Sequence, residues 1–277
     1  MSAHNKQVIK YYSSKESRWG YRAVLGGTRH FGYYERDSLI PNLQRGLRRM
    51  EQELGEALTM RAGSSVLDAG CGEGKVAEYL CENFGLRIHG IDLVNESIRR
   101  ANLLTVGLEG SLHFEVADYS HLPFPADTFD AVYTMETLVH SEDASATLRE
   151  FFRVLKPGGR LACFEYSIAD PSDLTVKEQA LFEVINRKSG MASFGKFVHG
   201  CFPRLLSDAQ FESIDTRDAS VNIRPMLRFF CMIGIAPYLV LGIFGRGDRF
   251  INILSGVELF RMRKKWRYNI VTAAKPQ

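Results

Sequence analysis

The stretch VLDAGCGEGKVAEYL, residues 66–80, constrains the fold of this chain more than any other. A short apolar run enters Asp68-Ala69-Gly70-Cys71-Gly72-Glu73-Gly74 and passes straight into an amphipathic segment, which is the pattern of a strand, a glycine turn and a helix. Glycines let the backbone turn tightly and let a ligand lie directly on main-chain N–H groups, although a ligand-free βα turn would read the same way. The surroundings extend the pattern. Apolar runs at Ser65–Ala69, Leu86–Ile91, Leu112–Val116, Phe129–Thr134 and Gly159–Tyr166 alternate with helical spacing over Gly74–Phe84, Asn95–Val106 and Ala144–Leu155. The last helix is expected to stop at the turn Lys156-Pro157-Gly158-Gly159. This alternation predicts an α/β, doubly wound, Rossmann-like sheet.

The carboxyl ends of the strands carry the chemistry. The second run, RIHGID, ends in Asp92, about twenty residues beyond the glycine turn, where a carboxylate reaches both ribose hydroxyls of an adenosine. The third ends near Asp118, which is placed to meet an adenine amino group. Two cofactors fit an acid at the second strand, NAD and S-adenosylmethionine. A dinucleotide site wants G-x-G-x-x-G, with the helix N-terminus against a pyrophosphate. Here the pattern is Asp68-x-Gly70-x-Gly72-x-Gly74, and Glu73 would repel a pyrophosphate but not an ammonium group.

On these residues the chain resembles the class I S-adenosylmethionine-dependent methyltransferases. VLDAGCGEG matches that family's first motif, and LPFPADTFDAVYTMETLVHSED (122–143) and FFRVLKPGGRL (151–161) are similar to its later ones, so the likeness covers about 64–167. The resemblance implies S-adenosyl-L-methionine as cofactor, held by Tyr11, Asp68, Gly70, Cys71, Gly72, Asp92, Leu93, Asp118, Tyr119 and Met135, with no metal. The flanks resemble the sterol C-24 and tocopherol C-methyltransferases. The opening runs from Tyr11 and Tyr12 through Trp19 to His30, Gly32, Tyr33 and Tyr34, and the close combines MLRFFCMIGIAPYLVLGIF with a basic, alternating end in Lys275-Pro276. Glu136 and His140 match that group's Glu-and-His spacing after the fourth strand. Glu73-Gly74-Lys75-Val76 and Ser141-Glu142 depart from its usual glycine, proline and Ala-Pro, which leaves the exact acceptor open.

The expected organisation is a helical cap over 1–60, a cofactor-binding core over 61–170, and an acceptor-binding helical insertion with the closing strands over 171–277, including strands at Phe211–Asp218 and Tyr268–Ala273. Composition excludes little else: 45% hydrophobic and 24% charged residues describe an ordinary globular chain, and a net charge of +3 is too mild to imply nucleic acid. Five scattered cysteines, none in a C-x-x-C pair, suggest neither a disulfide framework nor a zinc site, and with no secretory h-region a cytoplasmic enzyme is expected. Phe229–Gly245 carries no charge, but as a helix it would span roughly 25 Å against a hydrocarbon core of roughly 30 Å, and Pro237 weakens it further. It reads as a buried, tunnel-lining or interfacial segment, so peripheral membrane contact through 226–246 stays open, while Arg261, Arg263, Lys264, Lys265 and Arg267 read as a solvated strand face, with contact to anionic lipid as the alternative.

The leading expectation is C-methylation of a sterol, a triterpenoid or a similarly large apolar acceptor. The alternatives are O- or N-methylation of a small secondary metabolite and a catalytically silent scaffold of the same fold. Methylating an alkene leaves a carbocation, which aromatic faces stabilise and a base must then deprotonate. Tyr11, Tyr12, Phe31 and Tyr33 are candidates for the first task. Glu136 and His140, expected one helical turn apart, are candidates for the second, with Tyr33 and His30 next in line. Cys71 is expected to be a space-filler.

Overall fold

The computed structural model describes residues 2–14, 24–108, 110–243 and 250–277, without the side chains of 241–243. Trp19 and the tip of the apolar segment at 244–249 lie outside the described residues. A seven-stranded sheet runs through the molecule in the order β3-β2-β1-β4-β5-β7-β6. The strands are β1 Ser65–Ala69, β2 Arg87–Asp92, β3 Leu112–Val116, β4 Phe129–Met135, β5 Leu155–Ile168, β6 Glu212–Asp218 and β7 Trp266–Ala274. The first five pair in parallel, and β7 runs antiparallel between β5 and β6. The order reverses between β1 and β4, the topological switch point at whose carboxyl-end crevice doubly wound sheets bind ligands.

Helices α1 (Ala3–Ser13) and α2 (Leu43–Leu58) precede the sheet, and α3 (Lys75–Phe84), α4 (Asn95–Ala101) and α5 (Ala144–Val154) connect its parallel strands. Downstream come α6 (Val176–Ser189), α7 (Cys201–Asp208), α8 (Ser220–Ile243) and α9 (Ile251–Arg261). One buried cluster extends from Tyr33 through the sheet to Ala273, so cap, centre and closing strands share a core. α2 shows how the cap is seated. Asn42 caps it by accepting the Arg45 N–H at 2.9 Å, and its apolar stripe of Leu47, Met50, Leu54 and Leu58 is fully buried.

Three expectations change. Lys156-Pro157-Gly158-Gly159 is not a turn before the strand but lies inside β5, where the pairing with β4 slips between Phe129 and Ala131 and Gly158 takes φ +73°. A bulge absorbs residues that the sequence reads as a stop. The helix expected over Asn95–Val106 ends at Ala101 and tightens into a 3₁₀ turn at Asn102–Leu104. The basic run 261–267 is not one strand face, because Arg261 closes α9 and only Arg267 belongs to β7.

Candidate functional site

The glycine turn is shaped by its own hydrogen bonds. The N–H groups of Gly70 and Cys71 both donate to the Ile91 carbonyl at 2.9 Å, folding the loop back over the end of β2. Gly70 takes φ +99°, and a Cβ there would lie 2.7 Å from the Thr137 side chain. Gly72 takes φ +56° beside open space, so its bare backbone can be approached closely. Asp92 ties this turn to the next: it accepts the Gly72 N–H at 3.0 Å and the Val94 N–H at 2.7 Å. Burial pushes its carboxyl above the usual range, although these two bonds pull the other way.

Behind the turn lies Asp68, buried at the end of β1, and its Oδ2 has no hydrogen-bond partner among the described residues. Burial raises its carboxyl to about 7 against the pull of the neighbouring Tyr133 hydroxyl, with some help from the charge on Asp92. An unsatisfied acid facing a cavity is the feature that a bound cation would complete. The cavity is about 380 Å³ and is walled by the glycine turn, Asp92, Leu93, Asp118, Tyr119 and Met135. Asp118 accepts the Asn5 amide from α1 at 2.7 Å, and the Tyr119 hydroxyl donates to the Thr137 carbonyl at 2.8 Å. Glu73 pairs with Arg29 at 3.7 Å. Cys71 lines the same cavity, and burial holds its thiol well above the usual range, which removes it as a nucleophile.

A second cavity of about 400 Å³ adjoins the first. Its walls are mostly apolar and aromatic, from Phe31, Tyr166, Phe194, Phe230, Ile233 and Trp266. Within this wall the Phe31 ring centroid lies 6.2 to 6.4 Å from those of Tyr166, Phe230 and Trp266. Tyr12, Arg29, His30, Glu136 and His140 line both cavities and form the wall between them.

That wall is held from below. Buried Glu165 on β5 accepts the N–H groups of Thr137 at 2.9 Å and Leu138 at 2.6 Å, fixing the loop that leaves β4. Burial raises its carboxyl to about 8. On this loop Glu136 adopts φ +59° and His140 ends a 3₁₀ turn, so the pair is not the expected single helical turn. Glu136 accepts the Phe31 N–H at 2.7 Å and the Tyr166 hydroxyl. Burial raises its carboxyl despite these bonds. The His140 Nδ1 lies 2.8 Å from the Gly190 carbonyl and must carry the proton, because a carbonyl only accepts; Nε2 then accepts from the Tyr12 hydroxyl at 2.8 Å. Burial lowers the imidazole to about 4, so it is neutral near pH 7.

Two expected residues stand elsewhere, and a third is buried in the shared wall. Tyr33 lines neither cavity: its ring lies against Arg49 and Arg217, and its hydroxyl accepts from Arg217 at 3.2 Å. Tyr11 lines the apolar cavity rather than the first one and donates to Asn252 on α9 at 2.7 Å. His30 is buried in that wall, with Nδ1 donating to the Phe31 carbonyl at 2.8 Å and Nε2 3.6 Å from Glu51. Burial disfavours its charged form, but Glu51, the Phe31 carbonyl and Glu136 together outweigh this and leave it raised. Sequence reasoning missed Arg29, Asn5 and Glu165, for which the only signals were neighbours of His30, a polar residue in α1 and an acid in an otherwise apolar strand.

A parallel sheet with a glycine turn after β1, an acid closing β2 and an unsatisfied acid closing β1 defines an α/β enzyme built to hold a nucleoside cofactor bearing a cationic group. Comparison with known proteins gives the family. The family described as a methyltransferase domain matches residues 67–163. The S-adenosyl-L-methionine-dependent Diels-Alderase iccD of Talaromyces variabilis is 36% identical over 282 residues, covering 99% of this chain and 96% of the relative. Two solved structures share the fold. The [4+2]-cyclase SpnF has a TM-score of 0.77 and 22% identity, covering 99% of this chain and 96% of its own. The geranyl diphosphate C-methyltransferase of Streptomyces coelicolor A3(2), solved with geranyl-S-thiolodiphosphate and S-adenosyl-L-homocysteine, has a TM-score of 0.75 and 17% identity, covering 99% and 98%. The chain belongs to the class I S-adenosylmethionine-dependent methyltransferases, and its cofactor is S-adenosyl-L-methionine.

Proposed function

We propose that this enzyme transfers the cofactor's methyl group to a carbon of a large apolar acceptor, such as a sterol, a triterpenoid or an unsaturated secondary metabolite of similar size. The observation that supports the reading is the wall shared by the two cavities, which puts an apolar, aromatic chamber directly beside the polar one. S-adenosylmethionine supplies the electrophile, a methyl group on a sulfonium. Asp92 would accept its ribose hydroxyls, Asp118 its adenine amino group and Asp68 its ammonium group. When an alkene carbon takes the methyl, the neighbouring carbon becomes cationic. Phe31, Tyr166 and Trp266 offer ring faces worth about 0.5 to 2 kcal/mol each to a cation, and Glu136 offers a carboxylate. Loss of a proton from the adjacent C–H restores the alkene. Tyr12 would take that proton while passing its own along the existing hydrogen bond to the unprotonated Nε2 of His140.

The likeness to iccD across the whole chain favours a second reading, cyclisation of a bound polyene with the cofactor retained as part of the wall. One experiment separates the two. The protein is incubated with methyl-labelled S-adenosylmethionine and an apolar extract of its host, and products are identified by mass. A labelled, base-stable product one methylene heavier than its precursor, with S-adenosylhomocysteine released, supports C-methylation. An unlabelled isomer of the precursor with no cofactor consumed overturns it in favour of cyclisation, and label removable by demethylating reagents moves the acceptor atom to oxygen or nitrogen.

A further inference from the structure

α8 changes character along its length. Ile223, Met226 and Leu227 are buried against the rest of the protein, whereas Met232, Ile233, Ile235, Leu239 and Val240 are exposed. From Phe229 to Ile243 it carries no charged residue. By length and composition Ser220–Val240 could cross a membrane, with a mean hydropathy of 1.4, and only 28% of it is buried. Its first turns, however, are packed into protein. The remainder, about 15 residues, would reach only roughly 22 Å, short of a bilayer's hydrocarbon core. A large exposed apolar face on a helix that cannot span marks a contact surface.

Two further features say what it contacts. Ile233, Gly234 and Pro237 on this same stretch line the apolar cavity, so the exposed face and the cavity wall are continuous. Basic side chains stand at the root of the helix pair: Arg224 on α8, Arg261 at the end of α9, and Arg263 and Lys264 just beyond, all exposed. Asp37 and Glu258 offset Arg228 and Arg261, so the excess positive charge at this root lies with Arg224, Arg263 and Lys264. Seven residues separate Arg228 from Ile235, about 10 Å of helix, which matches the roughly 5–10 Å to which interfacial helices sink below a charged headgroup layer. A second copy of the chain would bring its own basic rim against this one, and like charges across an interface oppose pairing.

We infer that the exposed face of α8, with the basic root of α8 and α9, docks on an anionic lipid surface, from which an apolar molecule reaches the second cavity. The delivery role rests on the reading of that cavity as the acceptor site; the docking does not. The test is co-sedimentation with vesicles, without acceptor, so that its failure is distinct from failure of the methyl-transfer reading. Vesicles of phosphatidylcholine alone are compared with vesicles containing about 30% phosphatidylserine, at about 0.1 M salt. The wild-type protein should partition onto the anionic vesicles. Leu239→Glu with Val240→Glu, neither of which lines either of the two cavities described, should weaken partition at least tenfold. Arg263→Glu with Lys264→Glu should weaken it about fivefold or more per residue on anionic vesicles. Cofactor affinity, as a check of folding, should stay at the wild-type value in both variants. No partition by the wild-type protein overturns the proposal, as does unchanged partition by variants that still bind cofactor. A wild-type dimer in light scattering that Leu239→Glu dissociates also overturns it and assigns the face to a second copy.

Discussion

Replacing Asp92 by Asn is the most informative perturbation of the cofactor site, because it removes one charge while keeping the shape. In the native protein two backbone N–H groups, of Gly72 at 3.0 Å and Val94 at 2.7 Å, converge on this carboxylate. An Asn oxygen can keep one of them, but its NH₂ must face the other donor. Hydrogen bonds to a charged partner are worth about 1.5–3 kcal/mol each, against about 1 for neutral ones. The turn itself should therefore lose about 1–3 kcal/mol, seen as a lower thermal midpoint. If the ribose hydroxyls donate to the same carboxylate, one of those bonds disappears and the other becomes neutral, about 2–4 kcal/mol in all. That corresponds to roughly thirtyfold to several-hundredfold weaker binding at 1.4 kcal/mol per factor of ten. The assay is isothermal calorimetry with S-adenosylmethionine, alongside thermal unfolding without it. Asp92→Ala is the blunter variant, since it leaves both backbone donors unanswered. A folded Asp92→Asn protein that binds the cofactor as tightly as wild type would refute the ribose assignment.

Asp68, with its carboxyl raised to about 7 in the free protein, should lose its proton when a cationic cofactor binds. Affinity for S-adenosylmethionine should then rise with pH, by up to tenfold per unit below about 7 and little above it, and Asp68→Asn should flatten the profile measured by calorimetry. His140→Ala and Tyr12→Phe should each lower kcat by about 10² or more at unchanged cofactor affinity, and single-turnover rates that do not move in either variant would remove the pair from the mechanism. The imidazole is depressed to about 4 against its usual 6.5, so it favours the fold fully above 6.5 and loses that contribution as pH falls toward 4, about 3 kcal/mol at most. Denaturant unfolding at pH 7 and pH 4.5 should show wild type losing more stability than His140→Gln. Glu136→Gln should lower kcat without changing acceptor binding if the carboxylate stabilises a cation, and a change confined to acceptor affinity would speak against that role.

The parallel half of the sheet is legible in the sequence because each strand is apolar over a length that only burial explains, and because glycines and acids sit at strand ends. Asp68, Gly70, Gly72, Asp92 and Asp118 therefore fall into one cavity as expected. Local pattern fails where long-range pairing decides. Lys156-Pro157-Gly158-Gly159 has the residues of a turn, yet β4 and β7 draw it into a bulged strand. Glu136 and His140 have helical spacing, but Glu165, 25 or more residues downstream of both, pins the intervening N–H groups and forces a different path. Tyr33 belongs to an aromatic run in which Tyr11, Tyr12 and Phe31 line the cavities, whereas Arg49 on α2 and Arg217 on β6 hold Tyr33 the other way. The walls of the apolar cavity come from α1, the segment before α2, α6, α8 and α9, pieces so far apart in the chain that no local signal joins them.

The seating of α1 makes it a reporter of occupancy. Its Asn5 amide holds the carboxylate of Asp118 at 2.7 Å, His4 reaches the His140 carbonyl at 2.6 Å, and Tyr12, near its end, contacts the His140 ring. If an adenine amino group claims Asp118, the Asn5 amide has to share that carboxylate or leave it, while the contacts to His140 remain. The helix would then be held less firmly at its start, by His4 without Asn5, and stay fastened at its end by Tyr12. Backbone amides of the first turn should exchange with deuterium faster when cofactor is present and those near Tyr11 and Tyr12 should not, a gradient along eleven residues that uniform protection of the whole helix would contradict.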